Sequence, residues 1–316
     1  MEMVWSSGFM FLTVLPFLHC TEIWKRIQFI NSWGNFQEEF SRVTGKTMDL
    51  GLRQRTRYFV AMILVLPVCA NITYGLMDHR LRSWQYCITV LSGSHMALMS
   101  VFWYLMCSGL ARAARSLGDD IEQGFSEHGF SHVHALVKFK FLWLRLSRLT
   151  KDLGSCTGLS YAKYFLFCFG VSVSTSYGFL VSIRRDYNPF TYALFISTFV
   201  VSGILYAQCV SAQMATDEVG ANFRGRLQEM LENYPHVSAA THIEMDRFLA
   251  IINSNPPVIN FCGFVEVNRG LITSLMSQTL TYLIVMMQMN ISSYSEVLAM
   301  KTGTSVTSSV SSLTNT

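Results

Sequence analysis

GFVEVNRGLITSLMSQTLTYLIVMMQM, residues 263–289, opens on charge and closes on apolar side chains. Glu266, Asn268 and Arg269 stand in its first third, where lipid would reject them. Ile272 to Met289 then runs without a formal charge. As a helix that run is about 27 Å long, close to the thickness of a hydrocarbon core. The stretch therefore reads as a polar entry at one membrane face followed by a span. Within it Ser274, Gln278, Thr281, Val285 and Gln288 recur every three or four residues, which places them on one helical face. Lipid penalises such a stripe of amides and hydroxyls, so it faces protein or water. Packing against the chain's own helices is one outcome. Several copies around a symmetry axis, enclosing an aqueous conduit, is the other.

The rest of the chain agrees with a membrane setting. Of 316 residues, 51% are hydrophobic and only 14% charged, and the mean hydropathy is +0.31. A soluble domain carries nearer a quarter charged residues. The expected fold class is all-α: a polytopic bundle with spans near 3–23, 58–77, 87–110, 160–183, 190–213 and 272–289. Residues 1–213 would form the membrane bundle with its loops, 214–271 cytoplasmic anchor helices and the entry to the last span, 272–289 that span, and 290–316 a Ser/Thr-rich disordered tail. Arg and Lys number seventeen in the connections 24–57, 111–157 and 212–258, against five on the other side. The long connections are then cytoplasmic and the C-terminus extracellular.

Inside those connections, Leu136, Phe139, Leu142, Leu146 and Leu149 recur at helical spacing, which predicts a helix continuing the fourth span inward from Ser160. Leu227, Met230 and Leu231, then Ile243, Phe248, Leu249 and Ile252, predict two more amphipathic helices, separated at Pro235 and ended by Pro256-Pro257. They would form a cytoplasmic bundle or lie on the inner leaflet.

Thr281-Tyr282, five apolar residues and Gln288, preceded by Gly263-Phe264, Val267-Asn268 and Leu271, resemble the C-terminal signature of insect gustatory receptors, within the insect chemoreceptor superfamily. Met289 stands where that family usually has Phe. The resemblance implies seven spans with the N-terminus inside. The six found here then suggest that the first is missing, through a short isoform, an incomplete sequence or a truncation. A natural six-span relative is the alternative. The resemblance further implies a ligand-gated, non-selective cation channel of chemosensory neurons, assembled as a homo- or hetero-tetramer with related receptors and opened by a small-molecule tastant. Carried onto this chain, Gln288 would lie near the outer mouth of the pore, with Val285 as a constriction one turn deeper and Thr281 and Gln278 below it. Tyr282 would pack against neighbouring helices.

In the outer halves of the spans, Tyr74, Ser92, His95, Thr175, Tyr177, Tyr192 and Phe195 offer aromatic faces, hydroxyls and one imidazole suited to a small organic ligand. Anchoring at the membrane interface is the competing role for the aromatics. His95, Tyr74, Tyr177, Ser92 and Phe195 are the leading candidates. No catalytic residues, cofactor or metal site are expected: phosphate loops and hydrolase or metalloprotease motifs are missing, and His128, His132 and His134 lack Cys or paired carboxylates. The eight cysteines show no CxxC pair. A net charge of +4 does not point to nucleic acid. Membrane lipid is the other partner. A G-protein-coupled receptor, a transporter and an inactive truncated chain are the competing readings. Gly154-x-x-x-Gly158 matches a close-packing motif at the membrane edge. Asn290-Ile291-Ser292 is a glycosylation sequon too close to the membrane for use.

Overall fold

The computed structural model describes the backbone of residues 2–48, 51, 83–128, 133–185, 189–234 and 238–313, and side chains over most of 22–292 within them. Seven helices and one short hairpin make up the described chain. They are α1 (Glu2–Thr44), α2 (Ser83–His128), α3 (Val133–Arg185), α4 (Pro189–Val219), α5 (Ala221–Asn233), α6 (Ala239–Ser254), β1 (Asn260–Phe261), β2 (Val265–Glu266) and α7 (Arg269–Leu313). Among the described residues four helical stretches, Gly93–Ser126, His134–Arg184, Thr191–Asn233 and Arg269–Asn290, are long and apolar enough to cross a membrane. They carry the expected spans at 87–110, 160–183, 190–213 and 272–289. The expected span 3–23 is helical within α1, whereas 58–77 lies outside the described residues.

α3 is the mast of the bundle. It packs against α1, α2 and α4 and touches the hairpin, α6 and α7. As its apolar periodicity predicts, it is one helix through both the expected span and the inward extension. α5 and α6 are the two amphipathic helices foreseen between residues 221 and 254. Ser238 caps α6 by accepting from the Thr241 amide at 3.2 Å. One core draws buried side chains from all seven helices and β1. At one end Trp143 lies 6.3 Å from Phe223 and 6.0 Å from Phe248, ring to ring. Its Nε1 donates to the Val219 carbonyl at 2.9 Å, satisfying an orphan acceptor at the end of α4. Ion pairs ring this end: Arg226 with Asp119 and Glu122, Arg115 with Glu218, and Lys140 with Glu244.

The tail differs from expectation. α7 continues to Leu313, so 290–313 is helical rather than irregular. Proline is missing from that segment, and a helix already nucleated by the preceding span propagates cheaply through Ser and Thr.

Candidate functional site

Two antiparallel strands set the entry to α7. Asn260 pairs with Glu266 and Phe261 with Val265. The Phe264 amide closes the turn on the Phe261 carbonyl at 3.0 Å. Cys262 and Gly263 both have positive φ, 51° and 78°, a conformation that suits Gly263 and strains Cys262. This hairpin sits against α3 where Gly154 and Gly158 leave room. A Cβ at Gly154 would collide with the Asn260 backbone, and one at Gly158 would lie 2.7 Å from the Cys262 amide nitrogen. The close-packing motif thus serves an intramolecular contact, between α3 and the turn that launches α7. Phe261 completes the joint, packing on Trp103, Tyr161 and Phe165 with ring centroids 5.5, 6.3 and 5.3 Å apart.

A buried carboxylate lies at the same level of α3. Glu22 of α1 is 4% exposed and accepts from the Leu159 and Ser160 amides at 2.9 and 3.2 Å, and from the Ser160 hydroxyl. Arg26 balances it at 3.1 Å. Sequence reading missed Glu22, although a lone carboxylate at the end of an apolar run, four residues before an arginine, was the available signal.

α7 leans on α3 and α4 and is the least covered of the four apolar helices. Ile272, Leu275, Thr279, Leu283, Met286 and Asn290 are buried or half-buried against the protomer. Ser274, Gln278, Thr281, Val285 and Gln288 are all exposed. The polar stripe therefore turns away from the chain's own bundle. Tyr282 is 52% exposed, and its ring meets Phe169 of α3 edge-on at 6.3 Å. At the far end of the span the Asn290 amide donates to the Tyr177 hydroxyl at 2.9 Å, which ties α7 to α3 and occupies the sequon's side chain.

The candidate ligand residues are distributed over several elements. Tyr74 lies outside the described residues, as does the side chain of Ser92. His95 is half-buried on α2. Phe195 belongs to a set of matched rungs between antiparallel α3 and α4. Ser172 meets Ser202 at 2.9 Å, Thr198 donates to Thr175 at 3.0 Å, Phe179 faces Phe195 at 5.1 Å, and Ser182 meets Thr191 at 2.6 Å. Small hydroxyls that satisfy each other hold two helices together where lipid offers no partner. A second polar group joins three helices: Ser100 of α2 contacts the Tyr164 hydroxyl of α3 at 2.8 Å, and Gln208 of α4 donates to Ser100 at 3.3 Å. Metal-binding groups of three or more His, Cys, Asp or Glu do not occur among the described residues.

The chain resembles known proteins over nearly its whole length. The family described as 7tm Chemosensory receptor matches residues 4–293. Gustatory and odorant receptor 24 of Anopheles gambiae is 27% identical over 299 residues, 92% of this chain and 63% of its own. Gustatory and odorant receptor 21a of Drosophila melanogaster is 29% identical over 301 residues, 92% and 64%. The chain thus spans under two thirds of the length of these curated relatives. Among solved structures, the insect olfactory receptor OR5 from Machilis hrabei superposes with a TM-score of 0.60 at 11% identity, covering 91% of this chain and 88% of that one. Its complex with eugenol gives 0.57 at 13% identity, over 76% and 68%. At such identities the likeness is one of fold. With a family match from residue 4 to 293 and a helical membrane bundle of the same shape, this chain belongs to the 7tm chemosensory receptor family.

Proposed function

We propose that the protein is a gustatory receptor subunit, a ligand-gated non-selective cation channel opened by a small-molecule tastant. α7 lines the conduit at the centre of a tetramer, formed with identical or related chains. One observation carries this reading: the stripe Ser274, Gln278, Thr281, Val285 and Gln288 is exposed on the protomer, while the opposite side of α7 is covered. Ser274 and Thr281 donate to the Gly270 and Ser277 carbonyls of α7 itself, so it is the Gln278 and Gln288 amides that lipid contact would leave without partners. Sister copies around an axis give the stripe water. Gln288 then stands near the outer mouth, Val285 forms an apolar constriction one turn deeper, and Thr281 and Gln278 face the conduit below. The stripe carries no charge, so discrimination among cations is weak. Tyr282 packs where α7 meets its neighbours.

The tastant occupies the outer part of the bundle, with His95 and Tyr177 contributing alongside Tyr74, Ser92 and Phe195. Tyr177 holds Asn290 at 2.9 Å, so a ligand that engages its ring bears directly on the outer end of α7. Binding tighter to the open arrangement shifts the population towards it.

The test is current recording from cells expressing the chain with its relatives. Cysteines placed at Thr281, Val285 and Gln288 react with water-soluble thiol reagents and block current, whereas those at Leu275 and Leu283 do not. Val285→Ala raises the basal current and Gln288→Ala alters cation preference. Unchanged conduction and preference in both variants would overturn the pore assignment.

A further inference from the structure

Below the expected span, α3 carries a groove that the channel reading leaves unused. The cavity is about 370 Å³ and is lined by Phe141, Leu144, Arg145, Ser147, Arg148, Lys151 and Asn255. Its volume falls in the range of small-molecule sites. Its floor is polar: Ser147 is 3% exposed and donates to the Asn255 carbonyl at 3.4 Å, and Asn255 caps the end of α6. Three cations stand around the rim. Arg145 is paired with Glu39 of α1. Arg148 and Lys151 are exposed, and neither forms a salt bridge among the described residues. Asp152, half-buried, is the acidic neighbour of Arg148.

Arg145, Arg148 and Lys151 recur every third residue, so they share one side of the helix over about 9 Å. Arg145 is engaged by Glu39, which leaves Arg148 and Lys151 as the rim cations without a salt bridge among the described residues. An anion bearing two or more phosphates on a compact ring can engage both, because each phosphate offers several acceptor oxygens to Arg and Lys donors. The apolar edges of Phe141 and Leu144 suit the face of such a ring. Lys151 lies nine residues before Ser160, about 14 Å along the helix from the expected start of the span. That depth is reached by a phosphorylated head group that projects from the membrane surface, and equally by a soluble anion.

We propose that this groove is a binding site for a polyphosphorylated ring anion of the inositol phosphate class, free or as a lipid head group. The site does not depend on ion conduction, so it stands or falls separately from the pore assignment.

The test uses the full chain in phosphatidylcholine nanodiscs. Free inositol trisphosphate is titrated in one arm, and phosphatidylinositol bisphosphate is included in the disc in the other. Saturable binding in either arm supports the site, and the arm that responds identifies the source. Arg148→Gln with Lys151→Gln weakens it roughly 25-fold, about fivefold per cation removed. In the unsubstituted protein, bound anion protects Lys151 from amine acetylation, a readout that needs no variant. Lack of saturable binding in both arms overturns the proposal. So does binding that phosphatidylserine at matched charge reproduces and that the double variant leaves unchanged.

Discussion

Trp143 closes the C-terminus of α4 from outside that helix. Its indole N–H reaches the Val219 carbonyl at 2.9 Å in a site with no access to water. Trp143→Phe keeps most of the packing against Phe223 and Phe248 and deletes the donor. The buried carbonyl is then unsatisfied, at a cost of about 1–3 kcal/mol, read as a lower melting temperature of the purified receptor. Glu244 offers a different residue-scale test, because it lies on α6, outside the apolar spans. The Lys140 ammonium bonded to it, helped by Arg247, holds its carboxyl below the ordinary Glu value, against the opposing effect of burial. A carboxyl lowered in the folded state contributes stability above its ordinary pKa. That contribution disappears as pH falls through the lowered value. Acid unfolding monitored below about pH 4.5 is therefore shallower in Glu244→Gln than in the unsubstituted protein. Identical acid profiles would remove the α3–α6 ion pair from the account.

Among the elements, the joint between α3 and the β-hairpin decides how α7 enters the bundle. Gly154 and Gly158 let the Asn260–Cys262 backbone approach α3 more closely than any side chain would allow. Gly158→Ala puts a methyl 2.7 Å from a backbone nitrogen, and backbone cannot rotate aside. The hairpin must shift, at about 1–3 kcal/mol. Because α7 begins three residues after β2, that shift carries to α7. The expected result is a lower melting temperature together with altered ligand sensitivity, measured on the same variant. A neutral Gly158→Ala would mean that the hairpin does not position α7. The Gly-x-x-x-Gly pair was visible in the sequence, but its partner was not. The motif specifies a close approach without saying to what. The rungs between α3 and α4 are similar. Their hydroxyls recur along both helices, yet only the antiparallel register pairs Ser172 with Ser202 and sets Phe195 against Phe179.

At the scale of the whole molecule, apolar side chains such as Phe199, Tyr206 and Leu166 are more than half exposed on the outer faces of α3 and α4, as lipid contact requires. The charge asymmetry of the connections predicts an extracellular C-terminus. An epitope tag after Thr316 should be reached by antibody on intact cells. Staining only after permeabilisation would invert the topology and favour a G-protein-coupled reading. The α-helical class, four of the expected spans, the two amphipathic helices at 221–254 and the stripe on α7 were legible from sequence, because each is local. Hydrophobic length and a three-to-four-residue period are properties of one segment and its solvent. Glu22 against the Leu159 and Ser160 amides, Trp143 on Val219 and the groove beside Arg148 each join residues far apart in the chain. Periodicity shows that a face is buried without identifying what buries it. The sequence alone therefore determined a membrane-spanning helical bundle with a wetted or packed stripe in its last span. Only the tertiary structure decided that the stripe turns outward from the protomer. That direction depends on which side of α7 fits α3 and α4, a matter of shape between helices that no single helix encodes.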